Sequence, residues 1–428
     1  MARALDICNL WYNHYKTLFS SVGYDSHTVE GILDNVSRPN IHDIKYVTCT
    51  EVRDILATMS NNKAGDSYGL CTELAGDIYC SLLAVCFNVM FVHGYVPVEA
   101  TQTVICPTVK DKNGDLSDIS NYRPITLVTI FSKILEHALL NRLHEYLITS
   151  DNQFGFKRRH STLMPILILK ELLKFYRDHG STMFVCFLDV SKAFDRVDYS
   201  VLFRKLVDRK FPAYIMRLLW NWYGHHFARI QWSGVLSDNF NICNGVRQSG
   251  ILSPFLFGVY IDELSLCLRS VNIGCRLSNM IVNHLLFADD AVIFAPSAKG
   301  LQQLLDICSK FALSHNVVFN VVKSQCLIVS SRSDFIRRPT FQLSGASLPY
   351  TECYKYLGHM INSALSDDQD IMKQTRSLYA RANVIIRKFS HASLNTKLRL
   401  FRAYCSPIWL SALEYYVPGP IQQITSCL

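Results

Sequence analysis

His284-Leu285-Leu286-Phe287-Ala288-Asp289-Asp290-Ala291-Val292-Ile293-Phe294 sets two adjacent acids inside an apolar run. Burying two carboxylates among eight flanking apolar residues is costly unless something cationic offsets them. An extended strand sends successive side chains to opposite faces, so both acids serve one site only at a tight turn. The pattern therefore predicts an apolar strand, a turn carrying Asp289 and Asp290, and a second apolar strand. Asp189 ends a similar run, Phe184-Val185-Cys186-Phe187-Leu188-Asp189. Three carboxylates on neighbouring buried strands are what two-metal phosphoryl transfer requires. Taken alone, Asp-Asp more often caps a helix or lies in a solvated turn.

The 428 residues, 49% apolar and 18% charged, describe a folded chain with room for two or three lobes. The net charge of +8 is unevenly placed. From Ile371 onward stand Lys373, Arg376, Arg381, Arg387, Lys388, Lys397, Arg399 and Arg402 against the lone acid Glu414. A solvated helix face normally interleaves both signs; this segment favours a polyanion such as nucleic acid. The fifteen cysteines show no metal-ligand spacing and, with no signal peptide, suggest reduced thiols in an intracellular protein of nucleus or cytoplasm. Ser81–Val96 is apolar but interrupted and too short to span a bilayer, so no membrane role follows. No protein partner is legible.

Residues 1–50 read as mainly helical, with Trp11, Tyr12, Tyr15 and Phe19 as anchors. Thr103–Val109 reads as a strand and residues 110–115 as a polar turn. Helices are expected after Asn121-Tyr122-Arg123-Pro124 to about Ile148, and over Thr162–Asp178, Ser200–Tyr223, Ser253–Leu268 and Ala298–His315. Short strands are expected around Val317–Asn320 and Cys326–Val329, and a strand and turn at Tyr354–His359. The alternation argues α+β or α/β.

In order along the chain, these landmarks resemble the reverse transcriptase domain of non-LTR (LINE-type) retrotransposons. The resemblance rests on Asn121-Tyr122-Arg123-Pro124-Ile125, Asn152-Gln153-Phe154-Gly155-Phe156, Phe187–Asp195, Gly245–Pro254, Phe287-Ala288-Asp289-Asp290, Asn320–Ser324 and Tyr356-Leu357-Gly358. It implies an α+β, right-hand polymerase fold: an N-terminal helical extension (1–50), fingers (51–180), a palm with an antiparallel sheet and helices (181–365), and a basic partial thumb (366–428). The whole catalytic domain would occupy about 100–362. The implied function is RNA-directed DNA polymerase, adding dNTPs to a DNA primer on an RNA template.

Under that resemblance Asp189, Asp289 and Asp290 would bind two Mg²⁺ ions, for which Mn²⁺ could stand in. Without metal, their repulsion should raise at least one pKa. Arg123 would fork onto the nucleotide's triphosphate, where Lys would replace it poorly; a plain surface arginine is the alternative. Lys110, with Lys112, would approach phosphate or lie in a solvated turn. Phe194 would be a steric gate against a 2′-hydroxyl or a core ring, and Gln248 would approach the nascent base pair. Lys323 would protonate pyrophosphate or be a surface lysine. Asp195 reads as structural, a helix cap.

Three departures stand out. Ser249 occupies a position where the family commonly has Gly, which matters if that position needs positive φ. In Lys63-Ala64-Gly65-Asp66-Ser67-Tyr68-Gly69, Asp66 and Tyr68 depart from the fingertip pattern. The thumb resemblance fades after about Pro407 and no endonuclease pattern is present, as in a truncated copy. The alternative function is therefore a decayed retroelement copy that only binds nucleic acid.

Overall fold

The computed structural model describes residues 2–23, 26–34, 40–60, 66, 77–277, 280–331 and 338–405. The fingertip stretch 63–69, Asp66 excepted, and residues 406–428 lie outside the described residues. In chain order the strands are β1 (Gln102–Val109), β2 (Tyr122–Leu127), β3 (Met183–Leu188), β4 (Phe227–Trp232), β5 (Val235–Leu236), β6 (Phe240–Asn241), β7 (Cys275–Leu277) and β8 (Met280–Val282). They continue with β9 (His284–Phe287), β10 (Asp290–Ala295), β11 (Gln325–Val329), β12 (Gln342–Leu343), β13 (Ala346–Ser347), β14 (Cys353–Tyr356) and β15 (His359–Asn362). With the helices between them they make a mixed α/β chain. It divides into two units that interleave in sequence.

The first unit comprises Met1–Thr149, Ser191–Glu263 and Phe311–Val318. Its sheet runs β2-β1-β4-β5, with β6 also on β4. β1 lies antiparallel to β2 (Thr108 opposite Arg123) and parallel to β4. The helix Ala2–Leu18 places Cys8, Trp11, Tyr15 and Leu18 on one face. That face packs on Ile105, Ala228, Ile230 and Phe240 of the sheet.

Two expectations need correction in this unit. Residues 122–127 form β2, and the helix begins only at Ile130. The residue before a proline is pushed to extended backbone, so Arg123-Pro124 favours a strand. Pro124, lacking a donor, is tolerated because β2 is an edge strand. Thr129 then caps the helix by accepting from Ser132 N. The single helix expected over Ser200–Tyr223 is two, Tyr199–Asp208 and Ala213–Gly224. Between them Lys210 takes φ 58° and Pro212, at the N-cap position, precedes the second.

The second unit comprises Ser150–Val190, Leu264–Lys310 and Phe319–Leu428. Its central sheet, β11-β3-β10-β9, is antiparallel throughout. Every residue of β3 is buried, which explains a continuous apolar run rather than an alternating one. The helix Leu163–Asp178 contributes Ile166, Leu169, Leu172 and Leu173 to a core shared with Met183, Val185, Val292 and Phe294. Tyr354 of β14 stacks on Phe187 of β3 at 4.2 Å between ring centroids. In place of the expected strand at Val317–Asn320 there is one bridge, Phe319 to Val190. The helices Asp368–Lys388 and Leu394–Tyr404 carry the basic residues.

No two cysteines among the described residues are joined in a disulfide. No helix among them is long and apolar enough to cross a membrane.

Candidate active site

The second unit builds a carboxylate cluster at one end of its sheet. β9 and β10 pair with Phe287 opposite Asp290, so Ala288 and Asp289 make a two-residue turn. Asp290 thus opens β10 rather than lying within the turn. Ala288 adopts φ 57°, a conformation that L residues other than Asn and Asp rarely take. β10 also pairs with β3, Ala291 opposite Leu188. One further step in that register sets Asp290 opposite Asp189. The three acids share one electrostatic neighbourhood. Partial desolvation first, then the charges of Asp289 and Asp189, push Asp290 up to about 6 although the residue is exposed. Carboxylate oxygens are the donor class a hard cation takes. Among the described residues, however, no three His, Cys, Asp or Glu side chains converge as a ready-made ligand shell.

Two further segments hold this tip. Phe154 N donates to Leu286 O (2.8 Å) and Leu286 N to Asn152 O (2.8 Å), extending the sheet beyond β9. Gln153 Oε1 accepts from Ala288 N (3.2 Å) and Gly155 N (2.9 Å). A Cβ on Gly155 would lie 2.4 Å from Ala288 N, so only glycine fits against the turn. On the other side, Asp189 N donates to the buried Ser324 Oγ (3.1 Å) and Asp189 O accepts from Asn320 N (2.8 Å). Lys323 precedes that serine and is exposed. The motif residues Gln153, Gly155 and Ser324 were legible as blocks in the sequence, but not as props for the turn and for Asp189.

The remaining candidates belong to the first unit. Lys110 and Arg123 are exposed on the β1–β2 hairpin, and Lys110 Nζ donates to Ser120 O (2.8 Å). Phe194 is half-buried and stacks on Phe257, centroids 4.7 Å apart. The loop Arg247–Leu252 is fastened at both ends by Glu136, itself 1% exposed. Glu136 Oε1 accepts from Arg247 Nη2 (2.5 Å), and Oε2 accepts from Leu252 N (3.0 Å) and Ile251 N. Trp222 lies under the Arg247 guanidinium at 4.2 Å. Within this loop Ser249 takes φ 110°, the condition that makes glycine the better residue there. Its Oγ donates to Thr126 O (2.6 Å).

Asp195 departs from the expected helix cap. Asp198 caps the following helix, accepting from Ser200 N and Val201 N. Asp195, 3% exposed, accepts from Gln248 Nε2 at 2.7 Å.

The sequence pattern of the reverse transcriptase (RNA-dependent DNA polymerase) family matches residues 109–361, more than half the chain. The RNA-directed DNA polymerase from mobile element jockey of Drosophila funebris is 26% identical across 94% of this chain and 45% of its own length. A retrovirus-related Pol polyprotein from the type-1 retrotransposable element R2 of Popillia japonica is 31% identical across 62% of this chain and 38% of its own. The probable RNA-directed DNA polymerase from transposon X-element of Drosophila melanogaster is 26% identical across 84% and 40%. The chain spans about half the length, or less, of these relatives. The matched residues include the carboxylate tip, its props and the Arg247–Leu252 loop, and the chain belongs to the reverse transcriptase (RNA-dependent DNA polymerase) family, among those of non-LTR retrotransposons.

Proposed function

We propose that this chain is the polymerase core of an RNA-directed DNA polymerase that adds deoxynucleotides to a primer 3′-hydroxyl on an RNA template. The observation that carries the reading is the carboxylate tip: Asp189 and Asp290 at opposed ends of β3 and β10, Asp289 in the turn, and a raised proton affinity at Asp290. Such crowding of acids destabilises a protein unless a cation relieves it. Asp189, Asp289 and Asp290 would hold two Mg²⁺ ions, which supply charge neutralisation and a lowered pKa at the primer hydroxyl. Asp290, titrating near 6, is predominantly ionised at neutral pH and able to serve as a ligand.

The other residues bind and orient. Arg123 offers phosphate a planar fork from an exposed edge strand, and Lys110 adds charge on the same hairpin. Phe194, held by Phe257, would exclude a 2′-hydroxyl. Gln248 would meet the incoming nucleotide. Lys323, exposed beside the Asp189 prop, would give the leaving pyrophosphate a proton from Nζ. In this reading residues 1–50 are an N-terminal extension, 51–180 fingers, 181–365 palm and 366–428 a basic thumb.

Primer extension on poly(rA) with an oligo(dT) primer, Mg²⁺ and dTTP tests the proposal. The native chain should extend and an Asp289→Ala, Asp290→Ala double variant should not. Failure of both, with template–primer binding retained, would replace polymerase by a nucleic-acid-binding relic.

A further inference from the structure

Residues 244–246, which lead into the Arg247–Leu252 loop, are laced to the segment that carries Phe194. Val246 N donates to Phe194 O (2.7 Å) and Gly245 N to Val197 O (2.9 Å). Asn244 Nδ2 donates to Asp195 O (2.6 Å). Gly245, at φ 91°, comes so near that a Cβ would lie 2.8 Å from Asp195 O. Into this seam the Asp195 carboxylate is inserted, almost wholly buried, with Gln248 Nε2 at 2.7 Å.

We propose that Asp195 is a positioning residue that fixes the orientation of the Gln248 carboxamide and thereby sets affinity for the incoming nucleotide beside the Phe194 gate. The proposal rests on the polymerase reading above. An ionised carboxylate only accepts hydrogen bonds, so it admits the amide nitrogen of Gln248 and excludes the amide oxygen. Gln248 Oε1 is then left as an acceptor for a donor of the nucleotide. A protonated Asp195 could instead donate to Oε1, and the amide could turn over. Burial pushes Asp195 up to about 7, against the hydrogen bond from Gln248 and the charges of Lys192 and Lys110. Tyr15 is the other titratable group whose own ionisation Asp195 opposes. The lock therefore loosens as pH falls through about 7.

The test uses the full chain on a template with a dideoxy-terminated primer, so that dTTP binds without chemistry. Asp195→Asn keeps the side-chain volume but lets either end of Gln248 face it. It should weaken dTTP binding by about tenfold, the value of one hydrogen bond to a charged group, with template–primer affinity unchanged. Gln248→Ala should weaken dTTP to a similar degree, and adding Asp195→Asn to it should cost little more. The native dissociation constant should rise between pH 8 and 6, and that of Asp195→Asn should not. Unchanged dTTP binding in Asp195→Asn, or full additivity with Gln248→Ala, would overturn the assignment while leaving the polymerase reading intact. No dTTP binding by the native chain at any pH would overturn both.

Discussion

At position 249 a serine holds φ at 110°, where an L side chain is strained and glycine is not. Ser249→Gly removes that strain and also the bond to Thr126 O. It should stabilise the fold by about 1 kcal/mol, read as a higher midpoint in urea. A lower midpoint would mean that the Oγ hydrogen bond outweighs the backbone term. Asp290 gives a second prediction. Its folded pKa, about 6, exceeds the ordinary 3.8. Its protonation therefore favours the metal-free fold at low pH, and that contribution is lost as pH rises through about 6. A cation at the tip competes with the same proton. The rise in Tm produced by Mg²⁺ should accordingly be fullest above pH 7 and shrink as pH falls through about 6. A rise independent of pH between 5 and 8 would count against metal at these acids.

The β9–β10 hairpin illustrates how elements were legible. Two apolar runs around Asp-Asp can be read as strand, turn and strand because period-2 burial leaves no other place for paired acids. Which residues make the turn was not legible: Ala288 takes the positive φ, and Gly155 vacates the space beside it. Gly155→Ala would drive a methyl into the Ala288 backbone. It should destabilise the chain by about 1–3 kcal/mol and slow extension more than it weakens template–primer binding. Unaltered stability and extension would show that the turn tolerates displacement. At the β14–β15 hairpin the buried His359 lies beside Asp367 and Asp370. His359 Nδ1 lies 3.1 Å from the buried Asp370 at the start of the helix Asp368–Lys388. Although burial opposes it, the ion pair with Lys170 Nζ (2.5 Å) and the nearby His359 imidazole hold Asp367 below its ordinary pKa. The stability that Asp367 contributes is therefore lost as pH drops through that lowered value.

On the scale of the whole molecule, charge is the property most open to test. Arg376, Arg381, Arg387 and Lys388 are exposed on the helix Asp368–Lys388. Replacing the four by Gln should flatten the dependence of log affinity on log salt by up to about 3.6 in slope, near 0.9 for each phosphate no longer neutralised. An unchanged slope would remove this helix from the nucleic-acid surface.

The sequence by itself determined the order of the motifs, the apolar runs that end in Asp189 and flank Asp289-Asp290, and the concentration of positive charge after Ile371. These are properties of composition and local periodicity, which a single stretch of chain carries whole. It misplaced β2 and the break at residues 209–212, where Arg123-Pro124 and Pro212 overruled helical spacing. Only the tertiary structure decided that Gln153 and Gly155 prop Ala288, that Glu136 fastens the Arg247 loop, and that Asp195 holds Gln248 rather than capping a helix. Each of these interactions joins residues far apart in sequence. A buried polar group takes whichever partner packing brings within reach, and no local pattern specifies that partner.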